Sequence, residues 1–340
     1  MESDNEQILI LIEKAFILRK ELLDHTSNLS LRLFNGFLEG NPRWVIELFA
    51  KTLVINDHNQ TTGAVDPVVD EICDLYLRWM PWLKAVLYKN RSAHHTDANR
   101  GKIIYGDQLS QEISEMGVRY ALNLTINQDS SFYLDTRNLR GWLIENMETR
   151  TVLNTFAYTG SLGVAALAGE AELLIQTDLN KRFLELAKNS SELNGFSQKR
   201  SKYLIGDFYK IVAMLKREQA LFDCVILDPP FFSTTDAGRV DLVNQSTRLI
   251  NKVKPLIAHQ GWLVLVNNAL FLSGQDFLEM LEGLCSDRYM EIDTIIPVPQ
   301  DVTGFPETIV MQPPVSPAPF NHSTKIVILR IRRKDERVVH

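Results

Sequence analysis

Cysteine is scarce in this chain: three thiols, Cys73, Cys224 and Cys285, are scattered over 340 residues. Thiols so few and so far apart make neither a disulfide framework nor a zinc site, and they suit a reducing compartment. Long apolar runs are also missing. No stretch of about 18 apolar residues occurs, so no membrane-spanning helix is expected. The opening MESDNEQ is acidic and polar, unlike a secretory signal. Basic charge is not in excess either. Lys and Arg number 36 against 42 Asp and Glu, a formal net charge of -6. That excludes a uniformly basic, nonspecific nucleic-acid binder but leaves room for a local basic groove. The dinucleotide fingerprint G-x-G-x-x-G is absent, which disfavours a nicotinamide-dependent oxidoreductase. No internal repeat is visible.

What remains is an ordinary globular composition, 45% hydrophobic and 23% charged, in a chain long enough for two domains. Residues 6–25 carry apolar side chains at helical spacing, and Asp4 or Asn5 can cap them. Strand-like stretches at 29–34, 44–49, 52–55 and 85–88, with a helix over 66–78, describe a small α+β module. The stretch 91–102 is polar and aperiodic and reads as an exposed loop; its His94-His95 pair is expected to be solvated rather than metal-bound. The expected division is an N-terminal helix (1–28), a small α+β domain (29–117) and a larger domain (118–340).

From about 118 short apolar runs alternate with helical stretches: 151–156 then 161–169, 173–177 then 181–194, 202–205 then 208–217, 222–227 then 241–258, and 261–266 then 275–285. That alternation predicts a doubly wound, mostly parallel α/β sheet of the Rossmann type, with helices on both faces. Lys325–Arg332 reads as a last strand. The Pro-rich stretch 297–319 is expected to pack as a long loop over the sheet edge.

Four elements carry chemistry. First, the run from Asn154 through Phe156, Tyr158 and Thr159 to Gly160 and Gly163 is a strand, a tight turn and a helix start. Such a turn brings backbone N–H groups to a nucleotide-like ligand, and glycine permits close approach. Second, Asp178, followed by Leu179, ends the next strand. A carboxylate there can accept both ribose hydroxyls, or cap the helix after it. Third, Asp207-Phe208 offers a carboxylate beside an aromatic ring, fit for an adenine or for another cap. Fourth, Asp228-Pro229-Pro230-Phe231-Phe232 follows a fully apolar strand. Two prolines fix that backbone and remove two donors, so Asp228 and nearby carbonyls point rigidly outward. An aromatic beside them is a platform for a planar base.

The order and spacing of these elements resemble class I S-adenosylmethionine-dependent methyltransferases. DPPF stands where nucleobase-modifying members carry an Asp/Asn-Pro-Pro-aromatic motif. More narrowly, FYLDTRNLR at 132–140, VLNTFAYTGSLGVAALAG at 152–169, TDLNKRFLELAKNSSELNG at 177–195 and LDPPFFS at 227–233 resemble bacterial ribosomal large-subunit RNA methyltransferases making 5-methylcytosine or 7-methylguanine. The resemblance covers about 29–333, because the first third is similar to the small domain that precedes their catalytic domain. The N-terminal RNA-binding module of the cytosine enzymes is not recognisable.

The resemblance implies S-adenosylmethionine as cofactor, RNA as partner, no metal and a cytoplasmic location; it leaves the oligomeric state open. It implies that Asp135 and Arg137 lie over the cofactor, with Arg137 pairing its carboxylate. Cytosine chemistry needs a Cys nucleophile. The cytosine members carry it after the strand matching 263–266, where this chain has Asn267-Asn268, as the 7-methylguanine members do. Cys224 is no substitute, standing four residues before Asp228, roughly 13 Å along the strand. A ring or exocyclic nitrogen of guanine is therefore the expected target, with Asp228, Pro229 and its carbonyl, Pro230, Phe231 and Asn268 at the base. Basic candidates for the RNA are Arg91, Arg100, Lys102, Arg239, Arg248, Arg330, Arg332, Arg333 and Lys334. Alternatives are a methyltransferase of a small molecule or protein, or a noncatalytic RNA-binding protein on the same fold.

Overall fold

The structure, a computed structural model, describes residues 2–24, 28–59, 65–91, 100–230, 232–235, 238–241 and 246–339, with side chains for all but 2–4, 232–235 and 238–241. His94, His95 and Phe231 lie outside the described residues. The chain divides into two compact units, Met1–Leu134 with Pro299–Pro313, and Asp135–Val298 with Pro314–His340.

The first unit is built on a five-stranded sheet, β1 (Ser30–Asn35), β2 (Trp44–Phe49), β3 (Thr52–Asp57), β4 (Ala85–Asn90) and β5 (Lys102–Gly106), in that spatial order. β3 and β4 pair in parallel; the other pairs are antiparallel. The helix Val68–Trp79 makes the parallel crossover and buries Val68, Val69, Ile72, Cys73 and Tyr76, one stripe at helical spacing. The first helix, Glu2–Arg19, buries Ile8, Ile12 and Ala15. It ends six residues short of the expected 25 and passes into a 3-10 turn, Lys20–Leu22. The stop coincides with Arg19, whose buried guanidinium makes two 3.0 Å bonds to the Glu39 carboxylate and donates to the Asp301 carbonyl.

Two expectations about boundaries change. The 297–319 loop does not simply cover a sheet edge, because its 299–313 portion belongs to the first unit. There the Asp301 carboxylate accepts the Arg32 N–H (3.0 Å) and the Val302 carbonyl accepts from Asn35 (2.8 Å). The unit boundary falls at Leu134–Asp135 rather than 117–118. A hairpin of β6 (Glu112–Glu115) and β7 (Val118–Ala121) extends the first unit. Lys89, fully buried on β4, then holds the carbonyls of Asn127, Gln128 and Asp129 at 3.0–3.3 Å.

The second unit is an α/β layer structure around seven strands: β8 (Thr151–Thr155), β9 (Leu173–Asp178), β10 (Ser201–Ile205), β11 (Phe222–Leu227), β14 (Ile257–Asn267), β15 (Met290–Ile296) and β16 (Lys325–Ile331). Their spatial order is β10-β9-β8-β11-β14-β16-β15. The first five run parallel and β16 is antiparallel to both its neighbours. This is the doubly wound, mostly parallel sheet expected. A core of Leu153, Val225, Leu227, Leu263, Leu265 and Val327 is covered by Phe208, Ile211, Val212, Leu249, Ile250, Phe277 and Leu281 from the helices. A two-stranded ribbon, β12 (Phe232–Thr235) and β13 (Gly238–Asp241), precedes the helix Ser246–Val253; of the range expected as helix, Asp241 lies in β13 and Lys254–Leu256 in a 3-10 turn. β15 was not foreseen: Met290 to Asp293 alternates, but the register shifts between Ile292 and Thr294 and the run ends in Thr294-Ile295-Ile296, which leaves too short an alternation to read. The helix Arg137–Asn146 is likewise unforeseen. Among the described residues no helix is long and apolar enough to cross a membrane, and no group of three or more His, Cys, Asp or Glu is placed to hold a metal.

Candidate functional site

The strand order reverses beside β8, which has β9 on one side and β11 on the other. Loops leaving β8 and β11 therefore part in opposite directions and open a crevice at the carboxyl edge, where open α/β sheets bind ligands. Asp178, Asp207, Asp228 and Asn268 all stand at that edge, each at or just past the end of its strand.

On the β8–β9–β10 side the sequence elements are joined by direct contacts. Phe156 and Tyr158 adopt positive φ values, 52° and 50°, and Gly160 follows at 78°. Non-glycine residues hold that conformation only where their surroundings enforce it. Here the enforcement is visible: Asp178 Oδ2 accepts the Tyr158 N–H at 2.9 Å, and the Ala157 N–H reaches the Thr177 carbonyl at 2.8 Å. Asp178 Oδ1 accepts the Asn180 N–H (2.8 Å). The cap of the following helix, Lys181–Leu193, is Asn180 and not Asp178, which leaves Asp178 half-buried at the crevice. Burial raises its carboxyl above the usual range despite those N–H donors. Asp207 does cap its helix, accepting from Tyr209 and Lys210 at 2.9 and 3.2 Å. Phe208 stacks on Phe156 (centroids 4.6 Å apart), and Tyr158 meets Phe183 edge-on at 4.5 Å. Beside the two carboxylates, Leu179 and Ile205 are each 54% exposed. Carboxylates that can take ribose hydroxyls or an amino group, next to uncovered apolar surface, fit a nucleoside. Thr159 is buried in the turn. Arg137, in the first turn of its helix, and the half-buried Asp135 belong to the same unit, and Asp135 accepts a 2.8 Å bond from Thr324.

Asn154 and the glycines are placed differently from their expected use. Asn154 is buried within β8, and its amide donates to Gln176 on β9 at 3.1 Å. A Cβ on Gly163 would stand 2.5 Å from Gln176 Oε1, and one on Gly160 would stand 2.3 Å from Ala187 Cβ. The close approach these glycines permit is therefore to the protein's own helix–sheet contacts. Gln176 escaped sequence reasoning because a polar residue inside an apolar strand gives no periodic signal.

On the β11–β14 side, Asp228 keeps some access to solvent, Pro229 is buried and Pro230 is exposed. Burial, and next the like charge of Asp135, push the Asp228 carboxyl up to about 8. Of the paired asparagines, Asn267 is buried and structural, accepting the Ala269 N–H (3.0 Å) and donating to Ser246 Oγ (3.4 Å). Asn268 is exposed at the edge. Lys325, opposite Asn267 on β16, was expected only as the start of the last strand, with no role at the site. It is fully buried, donates to the Ala269 and Ser323 carbonyls (3.0 and 2.7 Å), and burial lowers it to about 8. None of the thiols is activated. Burial raises Cys73 to about 11, and Cys224, buried within β11, and Cys285 also lie above their ordinary value.

Most of the basic candidates are already engaged. Arg91 pairs with Asp129, Arg330 with Asp293, Arg332 with Glu291 and Arg333 with Asp335. Lys334 lies over Tyr289 and Arg248 over Tyr209. Arg100 and Lys102 are exposed in the first unit.

Residues 89–288 match the model of an S-adenosylmethionine-dependent methyltransferase family. The chain is 27% identical over 281 residues to the ribosomal RNA large subunit methyltransferase I of Vibrio cholerae serotype O1, an alignment covering 80% of this chain and 69% of that protein. It is 31% identical over 158 residues to the ribosomal RNA large subunit methyltransferase K/L of Pseudoalteromonas translucida, covering 46% of this chain and 22% of that one. Its fold is similar to that of SMU.776, assigned as a methyltransferase and solved with S-adenosylhomocysteine (TM-score 0.82, 21% identity, 96% of this chain and 82% of that one).

Proposed function

Because the chain belongs to the S-adenosylmethionine-dependent methyltransferase family, we propose that it methylates a nucleobase of RNA, namely a ring or exocyclic nitrogen of guanine in large-subunit ribosomal RNA. The observation that carries this reading is Asp228: a carboxyl fixed between a buried strand and two prolines, held near 8, beside an exposed Asn268 where a thiol would otherwise be needed. The relatives' names supply the RNA, and the work would be done in the cytoplasm, where ribosomes are assembled.

S-adenosylmethionine supplies an activated methyl group when bound. Asp178 would hold its ribose hydroxyls, Asp207 and Phe208 the adenine, Leu179 and the Phe156–Gly160 turn the adjoining surface, and Arg137 its carboxylate. A guanine nitrogen is already nucleophilic, so the protein's task is to orient and desolvate. At neutral pH a carboxyl held near 8 is mostly protonated and presents one donor and one acceptor. That pattern matches the O6 and N1–H edge of guanine, with the Pro229 carbonyl as a further acceptor. For an exocyclic amine, the proton released on methylation passes to the ionised fraction of Asp228. For N7 no proton leaves, and the Asp135 carboxylate with the ionised fraction of Asp228 would stabilise the new positive charge; for N1 the ring N–H proton passes to that ionised fraction, as it does for the amine. Asn268 hydrogen-bonds the base, and Phe231, by its place in the DPPF sequence, stacks on it after it leaves its helix.

The test is transfer of labelled methyl from S-adenosylmethionine to unmodified large-subunit ribosomal RNA, with the product mapped by mass spectrometry. Methylguanine that falls on the order of 100-fold or more in Asp228→Ala, with cofactor binding retained, supports the reading. Methyl on C5 of cytosine overturns the nitrogen target. No transfer to RNA, despite cofactor binding, overturns the RNA substrate.

A further inference from the structure

The loop that follows β14 is fastened at both ends. At its start, Asn267 Oδ1 accepts the Ala269 N–H, and the Ala269 carbonyl takes the Lys325 ammonium (3.0 Å) and the Leu272 N–H (3.3 Å). At its end, Ser273 caps the helix Gly274–Cys285 by accepting from Asp276, and the Gly274 N–H reaches the Ser316 carbonyl at 3.0 Å. A Cβ on Gly274 would sit 1.9 Å from the Pro317 carbonyl oxygen, so the loop is pressed against its neighbour there. Ala269 points inward and is wholly buried, whereas Leu270 is 42% and Phe271 67% exposed.

A single exposed apolar residue is unremarkable on a protein surface. Two in succession are less so when the backbone beneath them is fixed and cannot fold them away. Their place matters as well. Leu227 of β11 pairs with Leu265 of β14, so Asp228 is one residue past that pair and Asn267 is two past it on the adjacent strand. Neighbouring strands lie about 4.8 Å apart. The loop therefore rises from the same edge as Asp228, on the side away from β8, β9 and β10.

We propose that Phe271, flanked by Leu270, is a stacking platform for an RNA base next to the one being methylated, so that the Asn268–Phe271 loop is a substrate-binding element. The proposal rests on RNA being the substrate. Extruding a target base leaves the face of its neighbour unstacked, and a planar ring on a fixed loop replaces the lost stacking partner. It also answers how a chain with net charge -6, whose tail arginines are engaged in ion pairs, gains hold of RNA: through base faces more than through phosphates. The contact is tolerant of sequence, since every base has a face.

The experiment measures binding of in vitro transcribed large-subunit ribosomal RNA, and methyl transfer to it, for wild type, Phe271→Ala and Phe271→Trp across a salt series. The expected result is RNA affinity about 5- to 150-fold weaker in Phe271→Ala. The slope of log affinity against log salt should be unchanged, because no phosphate contact is lost. S-adenosylmethionine affinity should stay at the wild-type value, and Phe271→Trp should restore RNA binding. Phe271→Ala binding RNA like wild type overturns the platform alone, as does a loss of RNA affinity accompanied by loss of cofactor binding or not rescued by Trp. Wild type that neither binds nor methylates the RNA overturns the substrate reading and this proposal with it.

Discussion

At two places, one in each unit, charged groups are held in opposite ways. In the first unit, arginines and carboxylates are paired. Arg19 and Glu39 are both almost wholly buried and form a two-bond pair, and Arg43 reaches Asp57 (2.9 Å) and Asp66 (2.7 Å). At the carboxyl edge of the second unit, the Asp228 carboxyl is desolvated and feels the like charge of another carboxylate, Asp135. Pairing lets a charge be buried at tolerable cost, whereas desolvation, with a like charge nearby, shifts protonation and makes a reactive group. The contrast separates charge used for packing from charge held ready for a substrate.

Four outcomes would break or sharpen that contrast. The largest effect is expected from Glu39→Ala, which strands the buried Arg19; urea unfolding should show a loss of about 3–5 kcal/mol, and a smaller loss would mean that the pair is not truly sequestered. Next is Gly163→Ala. Its methyl meets Gln176 Oε1 at 2.5 Å, so a destabilisation of about 1–3 kcal/mol is expected in the same measurement. The third concerns pH. A carboxyl raised from about 4 to about 8 binds its proton more tightly in the folded state. Its contribution is complete below the unfolded value and is lost as pH rises through about 8. Stability of Asp228→Asn, compared with wild type across that window, should therefore hold up better with rising pH; parallel curves would show that Asp228 is not desolvated. The smallest effect belongs to Arg332–Glu291, whose side chains are 49% and 50% exposed. Glu291→Gln should change the urea midpoint by less than about 1 kcal/mol, and less still in high salt.

Much of the fold was legible because burial imposes periodicity. Phe222–Leu227 and Phe208–Arg217 occupy the ranges that their patterns predict, since one is buried nearly throughout and the other shows one apolar stripe. β15 was not legible, because its alternation is broken by a register shift between Ile292 and Thr294. The site divides likewise. Asp178, Asp207 and Asp228 could be found from sequence because each terminates an apolar run. Lys325, Gln176 and Phe271 could not, because their importance arises from partners far along the chain: Ala269 for Lys325, Asn154 and Gly163 for Gln176, and a loop pinned at Ser316 for Phe271.

Sequence by itself determined the alternation of strand and helix, hence the parallel sheet, and the four motifs that mark its carboxyl edge. Those are local properties, set by which residues can be buried and which turns proline and glycine allow. Only the tertiary structure decided that residues 299–313 join the first unit, that Asn267 supports while Asn268 is displayed, and that Asp228 is desolvated with the charge of Asp135 near it. Electrostatic coupling and desolvation depend on distance through space, and chain order does not encode that distance until the sheet has brought the strand ends together.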